Sequence, residues 1–162
     1  MEKAGYPIDS TAVRRYGFLL LRDFTMMAFS AAVEPLRTAN RAAETELYQF
    51  PLFPLNGEPG QASNGLSLSP VRQLTGKEPL DALFICAGIS LDQTWESILL
   101  TQLKPLMARN VILGAICTGS RILAMANLLN GYSCSVHWDG LSTLSNLFPN
   151  INVRRNLFTI DR

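Results

Sequence analysis

A cysteine and the only histidine of the chain stand where they could act together. Cys117 follows the apolar run 111–116, and His137 comes directly after the next apolar run, 132–136. Each run is predicted to be a strand, and the two strands are expected to be neighbours. In open α/β sheets, sites form at the carboxyl ends of the strands, so the thiol and the imidazole can meet there. Such a pair suits nucleophilic attack by a thiolate with proton transfer by histidine, or the binding of a small ligand.

The turn that holds Cys117 is predicted to be tight. The run 111–116 lacks polar alternation, which is typical of a buried parallel strand. It ends at Cys117-Thr118-Gly119, and an amphipathic helix is expected after this turn until Gly131 ends it. A strand-to-helix turn lifts its side chain above the sheet and aims helix N–H groups at it, which favours a thiolate. We interpret Cys117 as functional, and Cys86 and Cys134, inside strands, as small buried hydrophobes.

Two residues from earlier in the chain, Glu34 and Gly88, could also contact the thiol. Glu34, beside Pro35 in the first helix, is expected to be partly buried at the end of the first strand, protonated, and able to donate a hydrogen bond to a thiolate. Gly88 ends the central strand, where its backbone N–H could help to form an anion hole. The simpler interpretations are a solvated helix acid for Glu34 and an ordinary turn for Gly88.

The remaining candidates surround the cysteine and the histidine in the sequence. Thr118 and Gly119 follow Cys117 directly, and Trp138 follows His137. We expect these residues to line a ligand pocket, with the Trp138 ring facing a cationic group. His137 also has a simpler interpretation as a structural histidine.

The elements that must position these residues alternate between strand and helix. Strands are predicted at 16–21, 50–55, 66–71, 80–87, 111–116, 132–136 and 153–160, and helices at 24–43, 91–109, between the Cys117 turn and Gly131, and at 139–148. Pro35 is expected to kink the first helix, and Pro51 and Pro54 place strand 50–55 at an edge. The alternation predicts an α/β fold with a mostly parallel sheet and helices on both faces.

Composition narrows the classes of function. The 162 residues carry a net charge of +1 and are 48% hydrophobic, which predicts one compact domain. Gly5, Pro7 and Asp9 are unsuited to a regular element, so a flexible leader is expected at 1–13 and the domain at 14–162. No basic field suggests DNA binding by this chain itself. The apolar runs are too short for a membrane span, and three scattered cysteines favour a reducing, cytoplasmic location. No metal-ligand cluster or nucleotide motif is found, so no metal and no cofactor are expected.

Two sets of residues resemble a known family. The segment A-I-C-T-G-S, with H-W twenty residues after the cysteine, resembles the class I glutamine amidotransferase-like (PfpI-type) superfamily. The segment F-S-A-A-V-E-P-L-R-T-A-N-R, together with L-L-N-G-Y before the histidine, resembles the amino-terminal domain of GlxA-like transcription regulators of the AraC family. The likeness extends from about Tyr16 to the end.

The resemblance implies a flavodoxin-like three-layer sandwich with a nucleophile-elbow turn. It implies that Cys117 is the elbow cysteine, His137 its companion, Glu34 the acid that contacts it, and Gly88 part of the anion hole. It also implies a sensor domain truncated at its carboxyl end, a DNA-binding helix-turn-helix domain that this chain lacks, and a homodimer.

Two classes of function fit these observations. The first is the ligand-sensing domain of a transcription regulator, which binds a small effector at Cys117. The resemblance implies a quaternary amine, such as glycine betaine or carnitine, or an amino-acid derivative. The second is a cysteine-dependent hydrolase or glyoxalase-like enzyme in which Cys117 attacks a carbonyl. A redox sensor through Cys117 is a third alternative. Asp139 is close to His137 in the sequence, but no clear residue that would orient His137 is evident. We favour sensing for this reason and because the F-S-A-A-V-E-P-L-R motif resembles the regulators.

Overall fold

A sheet of short parallel strands forms the centre of the chain. The computed structural model describes residues 12–55, 57–69, 72–88 and 96–161. The strands are β1 (Arg14–Leu20), β2 (Tyr48–Gln49), β3 (Leu52–Pro54), β4 (Gly60–Gln61), β5 (Ser67–Leu68), β6 (Ala82–Cys86), β7 (Ile112–Ile116), β8 (Ser133–Ser135) and β9 (Asn152–Arg154). The helices are α1 (Met26–Ala43), α2 (Glu96–Ala108), α3 (Gly119–Met125) and α4 (Leu141–Leu147), with a 3-10 turn at Trp138–Gly140.

The order of the strands confirms the predicted parallel sheet. β1 pairs with β6 on one side and with both β2 and β3 on the other, and β7 continues the sheet beyond β6; all these pairs are parallel. The segment predicted as one strand, 50–55, is instead divided between β2 and β3. Pro51 lies between them and has no N–H to donate to a ladder. Both short strands lie at the edge, as the prolines predicted.

Helices cover both faces of this sheet and give three layers. On one face α1 buries Phe29 against Phe18 and Leu20 of β1. On the other face a larger cluster joins Leu19 and residues of β6 to the apolar sides of α2 and α3. Successive side chains of β1 therefore enter opposite cores, as the alternation of a strand requires. The predicted three-layer α/β architecture is confirmed.

The ends of the helices follow local backbone chemistry. α1 runs through Pro35 without interruption. α3 ends at Met125, so the expectation that Gly131 ends this helix is wrong. Asn127 instead adopts the left-handed conformation, with φ 58°. The N–H of Asn127 donates to the carbonyl of Ala124, and that of Leu128 to Leu123, which is the Schellman pattern of a helix end.

The carboxyl-terminal strands differ from the prediction. β8 was expected to neighbour β7, but it pairs in parallel with β9 in a separate two-stranded sheet. The predicted strand 153–160 is confined to β9. Beyond it, the Asp161 carboxylate accepts a hydrogen bond from the N–H of Ser133, and the hydroxyls of Thr159 and Ser135 lie 2.6 Å apart. Side chains rather than a backbone ladder therefore hold this segment to β8.

Some predicted elements fall partly outside the described residues. Most of the leader, 1–11, lies outside, as do the start of helix 91–109 and the end of strand 66–71. The described part of that strand is β5, which pairs antiparallel with β4. Within the described part of the chain, no helix is long and apolar enough to cross a membrane.

Candidate functional site

Cys117 occupies a strained turn between β7 and α3. Its φ is 60°, the left-handed region that is uncommon for residues other than glycine. This conformation costs roughly 1–2 kcal/mol, so the surrounding structure must impose it. The predicted strand-to-helix elbow is therefore confirmed, and the strain marks this turn as a candidate site.

Close backbone contacts hold the elbow against the ends of β1 and β6. A Cβ atom at Gly119 would overlap the carbonyl oxygen of Ile85, and one at Gly88 would overlap the carbonyl oxygen of Asp23. The Thr118 hydroxyl donates a 2.5 Å hydrogen bond to the carbonyl of Gly88. Gly88 thus fixes the site by close packing, while the role of its N–H in an anion hole stays a prediction.

The Cys117 sulfur has a hydrogen-bond partner that the sequence analysis missed. The hydroxyl of Thr25 donates to Sγ at 3.6 Å. Thr25 lies between β1 and α1, at the carboxyl end of the central strand. Its position in that first strand-to-helix connection was the available signal, because residues at the carboxyl ends of parallel strands converge.

Glu34 does not have the predicted surroundings. Its side chain is 56% exposed, and its carboxylate pairs with Arg37 on the same helix, with Nη2 and Oε2 2.7 Å apart. The hydrogen bond from Arg37 holds the pKa of Glu34 below its usual value. The expectation of a partly buried, protonated acid is therefore wrong, because the residue lies on the outer face of α1. No hydrogen bond from Glu34 to Cys117 occurs among the described residues.

A cavity of about 160 Å³, here termed the elbow cavity, lies beside the turn. Its lining residues are Thr118, Arg121, Val136, His137, Asp139, Gly140, Thr143 and Leu144. The cavity brings Thr118 and His137 together although β7 and β8 are not paired. Cys117 and Gly119 are not in its lining. Within the described part of the chain, no hydrogen bond joins Cys117 to His137.

Trp138 lies outside the elbow cavity. Its side chain is 73% exposed, and its ring stands against the imidazole of His137 with the centroids 5.3 Å apart. The expectation that Trp138 lines the pocket is wrong, because the chain enters the 3-10 turn at this residue and Trp138 is turned to the surface.

The elbow cavity carries one cation and one anion that do not pair with each other. Among the residues that the structure describes, the ion pairs are Arg14–Asp81 and Arg37–Glu34, so Arg121 and Asp139 are both unpaired. The Nε of Arg121 is buried and has no hydrogen-bond partner in the described structure. Leaving a buried donor unsatisfied costs about 1–3 kcal/mol, which a bound acceptor would recover. Arg121 was not predicted from the sequence, although it lies in the first turn of α3, which begins directly after the Cys117 turn at the carboxyl end of β7.

Ser120 allows a test of packing behind the elbow. It is 3% exposed, and its hydroxyl has no hydrogen-bond partner among the described residues. Ser120→Ala removes this unsatisfied hydroxyl, so we expect the free energy of unfolding in urea to rise by about 1 kcal/mol more than in Ser145→Ala. Ser145 is exposed on α4 and reports helix propensity alone. A fall in stability for Ser120→Ala would show that the hydroxyl has a partner.

The three free cysteines are expected to differ in reactivity. Cys86 and Cys134 are buried, as predicted; burial raises the pKa of Cys86 to about 12 and also raises that of Cys134. Cys117 is only half-buried. Iodoacetamide should therefore modify one thiol in the folded wild-type protein and none in Cys117→Ala, as read by intact-mass spectrometry. Modification of the Cys117→Ala variant before unfolding would contradict this.

A match to a protein family decides the identity of the chain. The sequence profile of the DJ-1/PfpI family matches residues 17–150. The chain belongs to the DJ-1/PfpI family. This match covers the elbow and the elbow cavity and confirms the resemblance carried by A-I-C-T-G-S and H-W.

Two relatives of this DJ-1/PfpI domain are HTH-type transcriptional regulators. It is 38% identical over 160 residues to the HTH-type transcriptional regulator GbdR of Pseudomonas aeruginosa, covering 98% of this chain and 43% of the relative. It is 37% identical over 155 residues to the HTH-type transcriptional regulator GlxA of Rhizobium meliloti, covering 94% and 48%. The chain thus spans less than half the length of either relative.

A solved structure supports the same placement. The crystal structure of an AraC family transcriptional regulator from Pseudomonas putida has a TM-score of 0.82 and 30% identity to this DJ-1/PfpI domain, and the match covers 92% of this chain and 80% of that chain. The predicted flavodoxin-like fold and the predicted GlxA-like, AraC-family relationship are confirmed.

Proposed function

We propose that this DJ-1/PfpI domain senses a small metabolite in the elbow cavity on behalf of an AraC-family transcription regulator. The observation that carries the proposal is the presence of Arg121 and Asp139, neither of them in an ion pair among the described residues, in the lining of one small cavity. The relatives supply the context, since both are HTH-type transcriptional regulators and this chain matches less than half of the length of each.

The cavity favours a small zwitterion. Its volume of about 160 Å³ equals that of roughly five liquid water molecules, well below the roughly 300–1,000 Å³ of drug-sized sites. Arg121 can bind a carboxylate through parallel N–H donors, and Asp139 can face a cationic nitrogen. Val136 and Leu144 offer apolar contacts to methyl groups. A quaternary amine such as glycine betaine or carnitine, or an amino-acid derivative, has this combination of groups.

The position of the cavity suggests how binding is transmitted. Its lining comes from the start of α3, the segment after β8, the 3-10 turn and α4. A ligand held by Arg121 and Asp139 would therefore fix α3 relative to the segment beyond β8. Binding would shift the population of domain or dimer arrangements and so the affinity of the regulator for DNA. We propose that the DNA-binding part lies outside this chain, that the regulator is a homodimer, and that it acts in the cytoplasm.

Catalysis by Cys117 has less support than sensing. A thiol and its histidine base are expected within about 2.6–3.2 Å in an active enzyme, or somewhat farther apart without ligand. In the described structure the hydrogen bond to the sulfur comes from Thr25, and His137 has no side-chain hydrogen bond that would orient it. The hydrolase or glyoxalase-like function is therefore the alternative that the experiment must exclude.

A thermal-shift screen tests the proposed ligand class. The panel contains glycine betaine, carnitine, amino acids and polyamines, with two matched controls for glycine betaine: choline, which lacks the carboxylate, and 3,3-dimethylbutyrate, which lacks the positive charge. A zwitterion at 100 times its dissociation constant should add about 2.7 kcal/mol, or about 5–10 °C in Tm. The proposal fails if no zwitterion stabilises the domain, or if either control stabilises it equally at the same concentration.

A further inference from the structure

A second cavity, of about 570 Å³, lies at the end of the sheet opposite to the elbow. It is termed the edge cavity, and its lining includes Arg15, Gln49, Phe50, Arg72, Glu78 and Leu80. Arg15 and Gln49 are paired at the beginning of β1 and β2, and Leu80 precedes β6. Cys117 follows the carboxyl end of β7. In a parallel sheet these are opposite ends, so the edge cavity is separate from the elbow cavity.

The edge cavity has an apolar floor. Gly17 lies two residues after Arg15 and so faces the same side of β1. A Cβ at Gly17 would stand 2.9 Å from side-chain atoms of both Leu80 and Phe53, so these two side chains pack directly over the strand. Both residues also line the cavity, together with Phe50. A ligand seated there would meet aromatic and aliphatic surface beneath it.

Each of the two carboxylates around this cavity accepts internal hydrogen bonds through one oxygen. Gln49 donates to Glu46 at 2.8 Å and accepts a hydrogen bond from the Nε of Arg15 at 2.9 Å. Oε1 of Glu78 accepts from both the N–H and the hydroxyl of Thr75, while its Oε2 is buried and has no hydrogen-bond partner among the described residues.

Arg15 and Arg72 have guanidinium N–H donors that make no hydrogen bond among the described residues. Within the described ranges, the two terminal guanidinium nitrogens of Arg15 have no hydrogen-bond partner, and neither has any part of the Arg72 guanidinium. Arg72 is exposed and Arg15 is half-buried. The two arginines therefore offer cationic N–H donors to a ligand in the edge cavity.

We propose that the edge cavity binds a small organic anion with an apolar body. Arg15 and Arg72 would hold the acid group through charge-assisted hydrogen bonds, and the body would lie against the half-buried Phe50, above the buried side chains of Phe53 and Leu80. The volume of about 570 Å³ is within the range of small-molecule sites. The site is independent of the sensing role assigned to the elbow cavity.

Isothermal titration calorimetry with four matched probes tests this site. Phenylacetate and phenyl phosphate carry an acid on an aromatic body, phenylacetamide is the neutral counterpart, and phenethylamine is the cationic one. At least one of the two acids should bind at millimolar concentration, at least about tenfold more tightly than the amide or the amine. Comparison of the two acids shows whether a carboxylate or a phosphate is preferred.

Charge-removing variants locate the binding. Arg15→Gln and Arg72→Gln should each weaken binding of the acid by about tenfold, whereas Arg155→Gln on the exposed surface and Arg121→Gln in the elbow cavity should leave it within about twofold. Arg72→Gln decides the result if Arg15→Gln does not fold. The proposal is overturned if neither acid binds, if the amide binds as tightly, if Arg72→Gln has no effect, or if Arg121→Gln removes the binding.

Discussion

Arg121→Gln is expected to weaken the binding of a zwitterion in the elbow cavity by about ten- to hundredfold. A hydrogen bond to a charged group contributes about 1.5–3 kcal/mol, and each 1.4 kcal/mol is tenfold in affinity. Arg121 is the described cation in the lining of this cavity, so glutamine leaves the ligand carboxylate without a charged partner. Calorimetric titration with the zwitterion found in the screen would measure the loss.

Arg121→Gln is expected to weaken ligand binding without lowering the stability of the fold. The Nε of Arg121 has no partner in the described structure, so its removal should not lower the free energy of unfolding. Arg155→Gln, an exposed charge change outside the cavity, should leave affinity unchanged. Asp139→Asn should weaken the binding of glycine betaine but not that of 3,3-dimethylbutyrate, which lacks the positive charge, with Glu58→Gln as the matched surface control. Equal affinity in wild type and Arg121→Gln would remove the proposed carboxylate site.

Gly88→Ala is expected to cost about 3 kcal/mol of stability and to lower Tm by about 6–12 °C. The added Cβ would overlap the carbonyl oxygen of Asp23, a backbone atom that cannot rotate away. Movement of residue 88 would also pull on the hydrogen bond between its carbonyl and Thr118. Because Thr118 lines the elbow cavity, ligand affinity should fall together with stability.

Gly131→Ala is the control for this experiment. Gly131 has φ 77° and no atom within 4 Å of an added Cβ, so alanine there meets backbone strain without a clash. That strain should cost about 1 kcal/mol. Urea denaturation of both variants compares the two effects. If Gly88→Ala costs no more than Gly131→Ala, the close approach of the ends of β1 and β6 is not a constraint on the site.

The sequence predicted those parts of the fold that local patterns determine. The apolar run 111–116, the polar turn at Cys117 and the amphipathic run after it correspond to β7, the elbow and α3. Pro51 and Pro54 predicted the edge position of their segment, because a proline has no N–H to donate to a strand ladder wherever it lies. The paired motifs around Cys117 and His137 carried the family relationship.

Properties that depend on distant contacts could not be predicted in the same way. The pairing of β8 with β9 rather than β7 depends on which strand edge is available after α3, and no local pattern contains that information. Glu34 lies on the exposed side of α1 because the buried side is set by Phe29. Thr25 and Arg121 became candidates only when the structure placed one at the Cys117 sulfur and the other in the elbow cavity.

The single histidine gives the most direct test of the central claim. His137 lines the elbow cavity and is the only histidine among the 162 residues, so its ring gives one set of NMR signals. Titration of the domain with the zwitterion from the screen, followed by NMR, reports the His137 ring and the ligand in the same sample. A sensor predicts that the ring signals shift to saturation while the ligand signals stay those of the intact compound. Conversion of the ligand to product, abolished in Cys117→Ala, would contradict the account, as would saturable binding that leaves the His137 signals unmoved.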